Sequence, residues 1–212
     1  MDQQEQRKQQ DRYDSERAAV KRLAREEGTA ERQLDYVQVV FGLEWFDEED
    51  AAVAMVGDLV TADEGNPRAV LLHSHSALHL LMDDESIEKA RRLLTAVPVE
   101  SAYRPMAAMH LAAINEWNGV GSSDRELTFR LISESVERAP EFVSNNAWLG
   151  RLLAKRGETA EARRHLTRAK ANILPKGEAR DRLSVVERAW HECFTGRLST
   201  PVGIELDLDK LG

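Results

Sequence analysis

The chain has 212 residues, of which 42% are hydrophobic and 31% charged, and its formal net charge is -8. This length and composition suit one good-sized domain with a buried core. The acidic balance, with Lys and Arg interleaved among Asp and Glu, argues against direct nucleic-acid binding, because neutralising phosphates needs clustered cations.

The sequence lacks the usual marks of secretion or membrane insertion. Its first thirty residues contain no apolar signal segment, and no stretch approaches the about 18 apolar residues needed to span a bilayer. The lone cysteine, Cys193, excludes an internal disulfide framework and a thiolate metal cluster. We therefore expect a cytoplasmic protein that does not contact a membrane.

Residues 1–40 are predicted to be a charged helical segment that is partly disordered or dimerising. Apolar residues follow a helical 3-4 spacing here: Tyr13, Val20, Leu23, Ala30, Leu34, Val37 and Phe41. One interpretation is a short coiled coil that forms a homodimer through residues 13–41. The plainer one is two ordinary helices, the first ended by Gly28 and the second capped by Thr29.

Residues 41–195 are predicted to form a domain of short helices, which brings the whole chain to about ten helices. Gly, Pro and Asp mark most of the boundaries. The predicted helices are Asp47–Asp63, Arg68–Met82, Ser86–Ala96, Ser101–Trp117, Asp124–Ala139, Pro140–Gly157, Thr159–Asn172 and Glu178–Thr195. These leave no room for a sheet of any size, so the fold class is all-α.

One helix pair, Val143–Leu174, shows the spacing of a known repeat. Its characteristic positions are Leu149, Gly150, Leu153, Gly157, Ala162, Leu166 and Ala169. The pair resembles a tetratricopeptide (TPR) repeat, a helix-turn-helix of about 34 residues. Weaker units over 74–98 and 103–140 extend the resemblance across residues 40–195. The resemblance implies antiparallel helix pairs stacked as a right-handed superhelix.

Proteins of this kind bind partners on the concave face formed by the first helix of each pair, so the resemblance implies a protein- or peptide-binding adaptor or scaffold, chaperone-like and without a cofactor. It places His75, His79, Arg151 and Lys155 on that face. The two cations suit an acidic or carboxylate-ended peptide, because charge-assisted hydrogen bonds are strong. The full predicted partner-binding set is His75, His79, Met82, Glu116, Trp117, Arg151 and Lys155.

Two other functions stay open at this point. His73, His75 and His79 are clustered, and His75 and His79 are four residues apart on one helix face, a usable metal-ligand spacing. The cluster gives an alternative: a metal-dependent enzyme, or an accessory subunit of one. A second alternative is a regulator that acts through a partner transcription factor.

The C-terminal part is predicted to contribute a cap and a tail. The last helix, Glu178–Thr195, has one apolar side, as a terminal cap should. Residues 196–212 then alternate apolar and acidic side chains, as in Ile204-Glu205-Leu206-Asp207-Leu208. This period indicates an extended tail, which either frays or docks into a groove of this chain or of a neighbour.

Overall fold

The computed structural model describes residues 3–43, 45–117, 124–175, 178–198 and 204–211. Within these ranges the regular structure is helical and no strand occurs. The helices are α1 (Gln3–Glu26), α2 (Ala30–Gly42), α3 (Glu49–Ala62), α4 (Pro67–Ser76), α5 (Asp84–Ala96), α6 (Arg104–Trp117), α7 (Arg125–Arg138), α8 (Val143–Lys155), α9 (Thr159–Asn172), α10 (Glu178–Asp181), α11 (Val185–Trp190) and α12 (Ile204–Lys210).

Three short turns complete the helical structure. A 3-10 turn, Phe46–Glu48, precedes α3. α4 and α11 each continue into a π turn, Ala77–Leu81 and His191–Thr195 respectively. The prediction of an all-α fold is confirmed.

The helices form four consecutive pairs: α2 with α3, α4 with α5, α6 with α7, and α8 with α9. Each pair also contacts the next one along the chain, through α3 and α4, α5 and α6, and α7 and α8. This is the arrangement of a TPR-like helical repeat, as predicted. The right-handed superhelix stays a prediction.

The pair α8–α9 shows why its sequence spacing was informative. Ala162, Leu166 and Ala169 are fully buried between the two helices. A Cβ on Gly150 would lie 2.7 Å from Leu166 Cγ, so only glycine allows this approach. Gly157 has a φ of 79°, the left-handed conformation that ends α8.

The N-terminal segment forms two helices that belong to the chain's own core. Gly28 has a φ of 61°, and the Thr29 hydroxyl accepts a hydrogen bond from the backbone N–H of Arg32. Leu34, Val37 and other α2 side chains are buried in a cluster that continues into the repeat pairs. The break at Gly28 is confirmed, whereas a homodimer through residues 13–41 stays a prediction.

The segment predicted as a terminal cap, Glu178–Thr195, is not a single helix at the end of the array. It breaks after α10, and Ser184 restarts it as α11 with a reciprocal Ser184–Glu187 capping box. α11 and its π turn then pack against α2 and α8. Their aromatic side chains also reach histidines of α4 and α6. The helix therefore crosses the surface formed by α2, α4, α6 and α8, which we call the first-helix face.

Several helix boundaries differ from those predicted, and hydrogen bonds explain two of the differences. α5 begins at Asp84, because the Asp83 carboxylate, rather than Ser86, caps it by accepting from the Ser86 N–H. α8 begins at Val143 rather than Pro140. The buried Asn146 amide donates to the carbonyl oxygens of Pro140 and Phe142, at 2.9 and 2.8 Å, and so holds the preceding turn in place.

The tail also differs from the expected extended chain. Ile204–Lys210 forms α12, which packs on α9. Among the described residues, no helix is both long and apolar enough to cross a membrane.

Replacing Gly150 with Ala is expected to destabilise the protein by about 1–3 kcal/mol. The new Cβ would lie 2.7 Å from Leu166 Cγ and 3.1 Å from the Ala162 carbonyl oxygen, which overpacks the α8–α9 interface. This cost outweighs the gain of roughly 0.5–1 kcal/mol that Ala brings to a helix interior. Urea unfolding of both chains measures the difference.

Gly57 in α3 is the matched control, because a Cβ there would meet no atom within 4 Å. Gly57→Ala is expected to stabilise the protein by about 0.5–1 kcal/mol. Equal unfolding free energies for Gly150→Ala and the wild type would contradict the close approach of α8 and α9.

Candidate functional site

The structure divides the predicted partner-binding residues between two places. His75, His79 and Met82 lie at the end of α4 and in its π turn. Glu116, Arg151 and Lys155 line one groove beside α8. The two groups have different surroundings: His75 is packed against other side chains of the chain, whereas His79 and Met82 are exposed and Arg151 and Lys155 line a groove.

His75 is covered by the chain itself. Its ring stacks on Phe41 at 5.7 Å between centroids and lies 6.2 Å from Phe194 of the α11 π turn. His110 of α6 lies 5.7 Å from the same Phe194 ring. Phe194 is 1% exposed, so it is a core side chain that fills the first-helix face around these histidines.

Burial keeps these imidazoles neutral. Desolvation lowers the pKa of His110 to about 3, with a smaller contribution from His79. It lowers the pKa of His75 well below its usual value, and the neighbouring His79 and His110 add to that effect. Desolvation also lowers the pKa of His73 to about 4, with Lys89 contributing. Such groups act as packed, uncharged side chains near neutral pH.

The surroundings of the three clustered histidines, His73, His75 and His79, bear on the metal alternative. Across the described ranges, no group of three His, Cys, Asp or Glu side chains could hold a metal ion. His110 Nδ1 lies 2.9 Å from the Ser74 hydroxyl, an ordinary buried hydrogen bond. Among the described residues, the helical spacing of His75 and His79 is therefore not completed by a third ligand of this kind. The alternative of a metal-dependent enzyme or accessory subunit using His73, His75 and His79 stays a prediction.

His79 and Met82 are exposed at the end of the π turn. Met82 is 54% exposed, and its φ of 50° is unusual for a residue with a Cβ. Its N–H donates to the Ala77 carbonyl oxygen at 3.0 Å, which closes the turn. A partner role for these two residues stays a prediction.

The second place is an open groove of about 580 Å³, which we call the α8 groove. α8 provides most of its lining, α6 contributes Glu116, α9 contributes Leu166, and α12 closes one side. The lining residues are Glu116, Ser144, Ala147, Trp148, Arg151, Leu152, Ala154, Lys155, Leu166, Asp207, Lys210 and Leu211.

Helical spacing places the α8 lining residues on one stripe. Ser144, Trp148, Arg151 and Lys155 follow one another at intervals of three and four residues. The stripe combines an apolar floor with two cations one turn apart. Glu116 adds one carboxylate from α6, so the groove without α12 carries two positive charges and one negative charge. This chemistry suits a segment that carries both apolar and acidic side chains.

One side of the groove is already formed by such a segment, α12. Arg151 Nε donates to an Asp207 carboxylate oxygen at 2.7 Å. Sequence reasoning missed Trp148, Leu152, Asp207 and Leu211 as groove residues. The alternating acidic and apolar side chains of the tail were the available signal, since they matched the predicted preference for an acidic peptide.

One predicted residue cannot be placed in either group. α6 ends at Trp117, whose side chain lies outside the described residues, as does the glycine-rich segment 118–123 that follows. A partner-binding role for Trp117 therefore stays a prediction.

Comparisons with known proteins add little to this geometry. Neither a family model nor a curated protein matches the sequence. A solved structure of a MamA RS-1 ArsTM double mutant is similar at 16% identity and a TM-score of 0.45, over 76% of this chain and 94% of that chain. A crystal structure of MamA protein is similar at 13% identity and a TM-score of 0.46, over 84% of this chain and 92% of that one. At these values the likeness carries no argument about function.

The buried histidines predict a loss of stability in mild acid. Their folded pKa values lie below about 6.5, the value in the unfolded chain, so the unfolded chain binds protons first as the pH falls. The neutral histidines contribute fully to the free energy of unfolding above about pH 6.5, and this contribution is lost as the pH falls below that value. Each histidine removes up to about 1.4 kcal/mol per pH unit. Urea unfolding at pH 7 and pH 5 measures this change.

His110→Asn is the diagnostic variant, because an Asn amide can reach Ser74 but does not titrate. The variant is expected to lose less stability between pH 7 and pH 5 than the wild type. Most carboxylates titrate below this window, so they contribute little to the difference. Identical pH dependence in both chains would contradict a buried neutral His110.

Proposed function

We propose that the protein is a protein- or peptide-binding adaptor that holds an acidic, amphipathic segment of its partner in the α8 groove. The observation that carries the proposal is the contact between Arg151 and the Asp207 carboxylate, 2.7 Å apart. It supports a groove that accepts an acid next to apolar side chains. A cytoplasmic location stays part of this proposal.

The site differs from the broad concave face that the sequence resemblance implies. Much of the first-helix face is covered by α11, whose Phe194 packs beside His75 and His110. The α8 groove lies toward the last pair, where the described residues leave an open volume. A partner therefore has access to Arg151 and Lys155 without displacing α11.

The groove offers a partner two kinds of contact. Trp148, Leu152 and Ala147 provide apolar area, and burying such area supplies most of the affinity in protein interfaces. Arg151 and Lys155 attract acidic segments and fix their orientation. A regulatory role through a partner transcription factor would use the same groove, so the identity of the captured partner distinguishes that role from a general scaffold.

Capture from the native cell lysate tests the proposal. A stoichiometric partner held by the wild-type chain should fall by about tenfold or more with Arg151→Ala and Lys155→Ala together, because the charge-assisted contacts are lost. Quantitative mass spectrometry of the eluate measures the change.

Arg164→Ala with Arg168→Ala is the matched control. Both arginines are exposed on α9, outside the α8 groove, and the change removes the same number of cations. The control should retain the partner. Equal retention by the groove variant and the control would contradict the proposed site.

A further inference from the structure

The C-terminal helix α12 lies along one side of the groove that we assign to the partner, where its Asp207 pairs with Arg151. We propose that α12 is a built-in occupant of the α8 groove, and that a partner binds by displacing it with a helix of the same chemistry. This inference rests on the proposed function and adds a regulatory step to it. The partner's segment is thereby defined as a short acidic amphipathic helix.

Polar contacts anchor α12 to the last helix pair. Asp207 meets Arg151 at 2.7 Å, and the Asp207 carboxylate is only 22% exposed. Arg163 Nη2 donates to the backbone carbonyl oxygen of Leu211 at 2.6 Å. These contacts come from α8 and α9, so they hold both the acid and the end of α12 against the last helix pair.

The apolar side of α12 also packs against the last helix pair. Leu208 packs on the buried cluster of Val143, Ala147 and Ala169. Leu211 packs on the neighbouring cluster that includes Leu149 and Leu153. Asp207, Leu208 and Leu211 thus form a recognition pattern: an acid, a leucine next to it, and a second leucine four residues after the acid.

α12 is held weakly enough for a partner to displace it. α12 has seven residues, too few to be a stable helix without its groove. The Arg151–Asp207 pair is partly exposed, with Arg151 39% accessible, and such pairs stabilise only weakly. The docking of α12 therefore depends on its tether to the same chain, because the tether raises the local concentration of α12 at the groove.

α12 leaves part of the α8 groove unused. Lys155 lines the groove, yet within the described ranges it forms no ion pair. It lies one helical turn beyond Arg151. A partner helix with a second carboxylate gains a contact that the described side chains of α12 do not make, and this difference gives the partner its advantage over the tethered tail.

The test uses the full chain and a fluorescently labelled peptide of residues 202–212. The opened variant is Leu208→Ser with Leu211→Ser, which removes the apolar contacts of α12 and leaves the groove intact. Asp209→Asn is the control, because Asp209 is exposed on α12. Fluorescence anisotropy measures peptide binding, and thermal unfolding checks that each chain is folded.

The opened variant should bind the peptide about tenfold more tightly than the wild type, because the docked tail no longer competes. The Asp209→Asn control should bind like the wild type. Adding Arg151→Glu to the opened variant should abolish binding. Hydrogen exchange of residues 143–155 gives a second readout, and it should slow when the peptide is added to the opened variant.

Two outcomes would overturn the inference. One is a folded opened variant that binds the peptide no more tightly than the wild type. The other is a wild-type dimer, seen by light scattering, that becomes monomeric in the opened variant, since the tail would then dock on a second copy. Neither outcome changes the lysate experiment, so partner loss on substituting Arg151 and Lys155 would still support the proposed function.

Discussion

The packing of α11 on the first-helix face organises the rest of the molecule. Gly42 lies so close to this helix that a Cβ would come within 2.5 Å of the Ala189 carbonyl oxygen. The buried Gln38 amide donates to the Val186 carbonyl oxygen at 2.7 Å, and its own oxygen accepts from Arg68. α11 is therefore held both by close backbone contact and by a hydrogen bond from the buried Gln38 amide, whose nitrogen and oxygen both have partners.

This packing explains why the predicted binding residues have different surroundings. His75 of that set lies beside Phe194, as does His110, which the prediction did not include. Arg151 and Lys155 lie on α8 and line the α8 groove, where Arg151 is paired with Asp207. α11 and its π turn thus cover much of the first-helix face, and the α8 groove lies beside the last helix pair.

Local features were predictable from the sequence, and long-range ones were not. Gly150, Ala162 and Leu166 indicated the α8–α9 pair because small and large residues at fixed offsets report directly on how two adjacent helices pack. The resemblance of this pair to a repeat placed Arg151 and Lys155 on the first helix facing a groove, and both line the α8 groove. The path of α11 was not predictable, since an apolar side shows that a helix is buried but not against which surface. Apolar and acidic side chains alternate with period two in the tail, yet the spacing of Leu208 and Leu211 also fits a helix. The sequence does not distinguish the two; the helix forms where the tail packs on α9.

The route of α11 also changes how the chain can fold. In a simple repeat array each unit contacts only its neighbours, so folding starts anywhere and spreads. Here Gln38 and Val186 bond across 148 residues of sequence, which makes a late, non-local step necessary. On a ribosome adding about 5–20 residues each second, the apolar surface of α2 waits roughly 10–30 s for its covering helix. During that interval the nascent chain exposes the apolar side chains of the first-helix face. A chain truncated before Val185 would lack α11 and would leave this face exposed.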